Sequence, residues 1–224
     1  MDFMFNDCSK LLNLDLSSFK ESKVITTRQM FYGCNSLETL NISNFDTSNV
    51  TNMTQMFGGC SSLTTLDLSN FNTSKVTTMY GVFSGCSNLK SINLSSFDTS
   101  NVTNMTSVFN DCSSLENLDL SNFNTSKVTT MSGMFYGCNS LTKLDLSSLD
   151  TSNVTTMYGM FSLCKNLKTI YVSDKWNTAN VTNSNLMFQS CTFLVGAVPF
   201  DSTKTDISMA NYTNGYLTYK ASSN

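Results

Sequence analysis

Eight cysteines offer this chain its most conspicuous chemistry. They stand at positions 8, 34, 60, 86, 112, 138 and 164, each 26 residues after the last, with Cys191 following after 27. Thiols in such a register can pair as disulfides, hold a metal or fill space as free buried groups. Neighbours in a stacked column would fall within the Cα separation of a disulfide, about 4.4–6.8 Å, but parallel side chains must twist to reach the required torsion. Metal ligation usually needs closely spaced cysteines or added histidine, and the chain has no histidine. The third reading is a ladder of small apolar thiols in repeated turns. A second candidate is the acidic column Asp46, Asp98 and Asp150, but calcium fits it poorly, because the three lie on alternate coils and lack a glycine-rich calcium-binding repeat.

Catalysis finds less support. Without histidine the common triads are unavailable, and every Ser or Asp has counterparts in the other coils. No enzyme activity and no cofactor is expected. Asn49-Val50-Thr51 and Asn101-Val102-Thr103 have the form of glycosylation acceptors, yet the repeat explains them equally well.

These side chains must be positioned by a coil that repeats LxxLxLSxFxTSxVTxMxxMFxxC, seen most clearly from Leu63 to Cys86. The alternation around Leu66 and Leu68 predicts a short strand with Thr65, Asp67 and Ser69 facing outward. From Val76 the apolar spacing changes to three and four, through Met79, Val82 and Phe83, which predicts a helical or 3-10 segment. One coil cannot bury its own apolar residues, so coils must stack. Strands at 14–16, 40–42, 66–68, 92–94, 118–120, 144–146 and 170–172 are expected to form one parallel sheet. Residues 1–191 then form the solenoid, with an incomplete first coil, and 192–224 a capping segment of the same domain that carries the only proline.

The copies LDLSNFNTSKVTTM at 66–79 and 118–131, MFGGC at 56–60 and MFYGC at 134–138 resemble the BspA-like leucine-rich-repeat surface proteins. The closing stretch FLVGAVPFDSTKTDISMANYTNGYLTY at 193–219 is also similar to that family. The resemblance implies a leucine-rich-repeat solenoid of about seven coils, displayed outside the cell and linked to adhesion or to binding a protein or glycan. It transfers no binding residue.

Charge narrows the partners. Only 13% of residues are charged, the net charge is −3 and the pI about 4.8, so no basic stripe exists for nucleic acid. No apolar run is long enough for direct membrane insertion, and MDFMFNDCSK lacks the pattern of a signal peptide.

A two-coil period overlays the repeat: Asp46, Asn72, Asp98, Asn124 and Asp150 alternate, with Lys75 and Lys127 expected to reach an Asp one coil away. The outward strand positions form three columns, starting at Asn13, Asp15 and Ser17, that serve either as a solvated face or as a recognition surface. The candidate ligand surface is Asp67, Asn93, Asn117, Asp119, Lys143, Asp145, Thr169, Tyr171 and Trp176, where the template breaks near the C-terminal end. Monotonous columns would instead suit a structural spacer. The extra residue before Cys191 is expected between Asp174 and Thr178. At the other end, an uncapped first strand exposing Leu12, Leu14 and Leu16 predicts either a fragment of a longer protein or self-association through that edge.

Overall fold

A Leu or Ile between two polar residues, as in Asn13-Leu14-Asp15 and Thr65-Leu66-Asp67, produces short strands whose central side chain faces the core and whose flanking residues face solvent. The computed structural model describes residues 1–19 and 23–222. Residues 20–22 of the expected solenoid and 223–224 of the expected capping segment lie outside the described residues. The strands are β1 (Asn13–Asp15), β2 (Thr39–Asn41), β3 (Thr65–Asp67), β4 (Ser91–Asn93), β5 (Lys143–Asp145), β6 (Thr169–Val172) and β7 (Leu217–Tyr219). Their pairing is parallel and in register, Leu14 with Leu40, Leu66 with Ile92 and Leu144 with Ile170. The chain is thus a solenoid of about six turns.

The sheet is not continuous, in contrast to the single sheet expected from the repeat. It falls into β1–β2, β3–β4 and β5–β6–β7, and residues 118–120 form no strand. The continuous ladder lies elsewhere, through parallel bridges that link Thr26, Asn52, Thr78, Asn104, Thr130, Thr156 and Asn183.

The expected helical segments are also absent from the repeats; the described chain has one short 3-10 turn, Ile207–Met209. The reason lies in where alternate N–H groups point. Met53, Gln55, Phe57 and Gly59 donate to Thr78, Tyr80, Val82 and Ser84 of the next coil at 2.7–3.2 Å. Met56, Gly58 and Cys60 donate three residues back, to Met53, Gln55 and Phe57. The apolar spacing of three and four is therefore met by successive turns, because half the amides that a helix would need internally run along the solenoid axis. The pattern requires left-handed backbone at fixed positions, including Gly137 at φ 70°, where an added Cβ would also stand 2.3 Å from Asp111 Oδ1.

Between these two faces lies a core of ladders. Phe31, Phe57, Phe83, Phe109, Phe135, Phe161 and Phe188 stack with centroids 5.5–5.8 Å apart. Tyr216 meets Phe188 edge-on at 5.3 Å and ends the stack. Its hydroxyl accepts from the Asp201 amide at 2.9 Å and lies 3.0 Å from the Lys204 carbonyl. β7 pairs with β6 through Ile170 and Leu217. At the opposite end Leu12 is exposed, whereas Leu14 and Leu16 are half-buried.

The cysteines are free thiols, buried from Cys34 to Cys191, with Cys8 exposed. Each buried Sγ donates to a phenylalanine carbonyl of the preceding coil, as Cys112 does to Phe83 at 3.2 Å. Burial pushes the thiols up, Cys34 to about 11 and Cys112 and Cys191 to about 12. Such thiols are protonated packing groups rather than nucleophiles at neutral pH.

Candidate functional site

The second outward column begins as Asp15, Asn41, Asp67 and Asn93, and each side chain has the same local task. Its Oδ1 accepts the backbone N–H two residues on, from Ser17, Ser43, Ser69 and Ser95. Asp or Asn performs this turn equally well, which accounts for the alternation between them. Asp119 and Asp145 do likewise with Ser121 and Ser147 at 2.9 and 3.0 Å. The turn engages one oxygen of each carboxylate and leaves the other for a further partner.

Over the last coils this column changes character. Asp119 and Asp145 follow one another without an intervening Asn, and Tyr171 takes the next place. A concavity of about 510 Å³ opens here, lined by Asn117, Leu118, Asp119, Lys143, Asp145, Tyr171 and Lys220. A smaller one of about 260 Å³ adjoins it and shares Asp119, Asp145 and Lys220. The opening sits where Asn117–Asp119 pairs as a strand with neither β4 nor β5.

Lys220 follows β7 and reaches back across the face. Its Nζ donates to Asp145 Oδ2 and lies 5.9 Å from the Tyr171 ring centroid. Partial burial of Asp145 favours its neutral form, but the Lys220 ammonium and the Ser147 turn outweigh it and hold the carboxyl below its usual range. The same pairing, led by the hydrogen bond to Asp145, raises Lys220. Asp119 is held low by the Ser121 amide and hydroxyl, with the nearby Asp145 charge opposing.

Of the residues singled out from sequence, Asn117, Asp119, Lys143, Asp145 and Tyr171 line this concavity, and Thr169 is half-buried in the adjoining strand β6. Asp67 and Asn93 lie exposed further along the same face, outside the concavity. Trp176 requires correction. It is buried and donates Nε1–H to the Ala210 carbonyl at 3.0 Å. Asn177 bonds Thr151 as Asn124 bonds Thr99, so Trp176 continues the buried column of Phe123 and Leu149. The extra residue therefore falls between Val172 and Asn177, and the pattern aromatic-then-Asn in Trp176-Asn177 matches Phe123-Asn124. In the third column Ser147 and Ser173 are buried, not outward. Leu118 and Lys220 were not anticipated. Lys220 lies beyond the repeat, so no periodicity points to it.

One other expectation gains detail. Lys75 and Lys127 donate to Asn49 and Asn101 at 2.6 and 2.7 Å, and from there their charges help the Ser48 and Ser100 turns hold Asp46 and Asp98, one coil away, below the usual carboxylate range. Among the described residues no three His, Cys, Asp or Glu side chains converge as a metal site, and no helix is long and apolar enough to cross a membrane.

The repeat register and the parallel stacking define a solenoid of leucine-rich type. The family described as Mycoplasma protein of unknown function, DUF285, matches residues 1–116 and 77–199, and the chain belongs to this family of BspA-like repeats. A leucine-rich repeat protein from Bacteroides ovatus, known from a crystal structure, is similar over 88% of this chain and 68% of its own at 16% identity, with a TM-score of 0.29. No curated protein matches the sequence.

Proposed function

We propose that the chain is a non-catalytic recognition or adhesion module that acts outside the cell and binds a protein or glycan through the outward strand face of its C-terminal coils. Residues 1–191 are its solenoid and 192–224 the capping segment of the same domain. One observation carries the reading: the repeat's uniform polar face gives way to a concavity that combines a tyrosine ring, two consecutive carboxylates and two lysines. Aromatic and charged groups around a recess are common in binding surfaces. The other Asp and Asn residues of the column are engaged in turns, which supports a non-catalytic scaffold.

That turn role also favours a second reading, a structural spacer, for the coils before Asn117. An array of extracellular-matrix proteins and glycans, probed with wild type and with Tyr171→Ala, separates the two. Binding that the substitution weakens about tenfold supports recognition at this face. Absence of binding by wild type would leave the spacer.

A further inference from the structure

We infer that the concavity between Asn117 and Lys220 receives a basic side chain, a lysine ammonium or arginine guanidinium, from a partner protein, and that Lys220 fills this place in the free chain. The inference rests on the proposal that this face binds a partner, and names the partner's chemistry.

The first support is the charge pattern. Paired strands elsewhere set an aspartate against a neutral neighbour, as Asp15 with Asn41 and Asp67 with Asn93. Only at Asp119 and Asp145 do two carboxylates of this column occupy consecutive coils. Like charges in adjacent register are unfavourable unless a cation compensates them.

The second support is a contact the chain makes itself: a cation already sits there, against one of the two carboxylates and the tyrosine ring. Lys220 lies 75 residues beyond Asp145 in sequence, outside the repeat, yet its ammonium meets Asp145 Oδ2 and the Tyr171 ring. A carboxylate beside an aromatic face is a general way to hold such a group. With Lys220 in place, the lining has two carboxylates and two ammoniums. With Lys220 turned away, one negative charge stands uncompensated beside the ring, complementary to an incoming cation. The exchange needs little rearrangement, because the Lys220 side chain is 48% exposed and lies just past β7. Lys143 on the rim disfavours a probe carrying several cations, so a single inserted side chain fits best.

The test titrates the whole chain with three probes: a capped Gly-Gly-Lys-Gly-Gly peptide, its glutamate counterpart and neutral oligosaccharides. Binding is followed by chemical-shift change in wild type, Lys220→Gln, Asp145→Asn and Tyr171→Ala, with thermal melts confirming the fold. Asp145→Asn retains the turn that Asn41 and Asn93 make. Removing an exposed competing ion pair is expected to tighten the basic peptide about two- to fivefold in Lys220→Gln. Asp145→Asn and Tyr171→Ala are expected to weaken it. Unchanged or weaker binding in Lys220→Gln, or preference for the glutamate peptide, would overturn the inference. If a glycan binds in a Tyr171-dependent way while Lys220→Gln ignores the basic peptide, this inference fails and the recognition proposal stands. If no probe binds any variant and the matrix array is also silent, both fall.

Discussion

Thr99 shows how much of this structure rests on single polar side chains inside an apolar stack. Its buried hydroxyl donates to the Asn124 carbonyl and accepts from the Asn124 amide, both at 2.9 Å. Thr47, Thr73 and Thr151 make the same two bonds to Asn72, Asp98 and Asn177. The Thr99→Val variant keeps the shape but strands one buried donor and one buried acceptor, so it is expected to lose about 2–4 kcal/mol in urea unfolding. Asp98 presents the opposite case. The Ser100 hydroxyl and amide hold its carboxyl below the usual range. A lowered folded pKa stabilises the chain above the unfolded carboxylate pKa, near 3.9, and that stabilisation is lost as pH falls through the folded value. Asn occupies the equivalent position at 72 and 124 and makes the same turn. Asp98→Asn should therefore match wild type at pH 7 within about 0.5 kcal/mol and lose less stability on acidification to pH 3, as urea midpoints will show.

At the level of elements, strands were legible and the facing turns were not. Leu66 and Leu68 alternate with polar neighbours, and only a strand satisfies that period. The spacing of Val76, Met79, Val82 and Phe83 suits a helix and a run of turns alike, because periodicity records which side chains go inward and not where the amides bond. The phenylalanine stack follows from either reading and depends on its neighbours for burial. Phe109, packed between Phe83 and Phe135, is expected to cost about 3–5 kcal/mol as Phe109→Ala in thermal or urea unfolding. The site was legible where it broke the repeat. Lys143 and Tyr171 differ from their column-mates on an exposed face, whereas Trp176 differs from the template but keeps its column's apolar character. A one-residue slip hid that equivalence. Lys220 could not be placed from sequence, since its position depends on β7 joining β6.

The molecule as a whole has unlike ends. Tyr216 and β7 complete the last coil, while the first leaves Phe3, Met4 and Leu12 exposed, with Ile25 nearby. Between the ends, one ladder architecture presents a nearly uniform polar face that changes only beyond Asn117. Recognition should therefore be local, not spread along the solenoid. The most direct measurement takes the strongest ligand from the matrix and glycan array and compares its dissociation constant for wild type, Tyr171→Ala and Tyr80→Ala, the last altering an exposed aromatic on the turn face. The expected result is a weakening of about tenfold or more for Tyr171→Ala and none for Tyr80→Ala. Equal binding by all three, or loss confined to Tyr80→Ala, would contradict the assignment of recognition to this concavity.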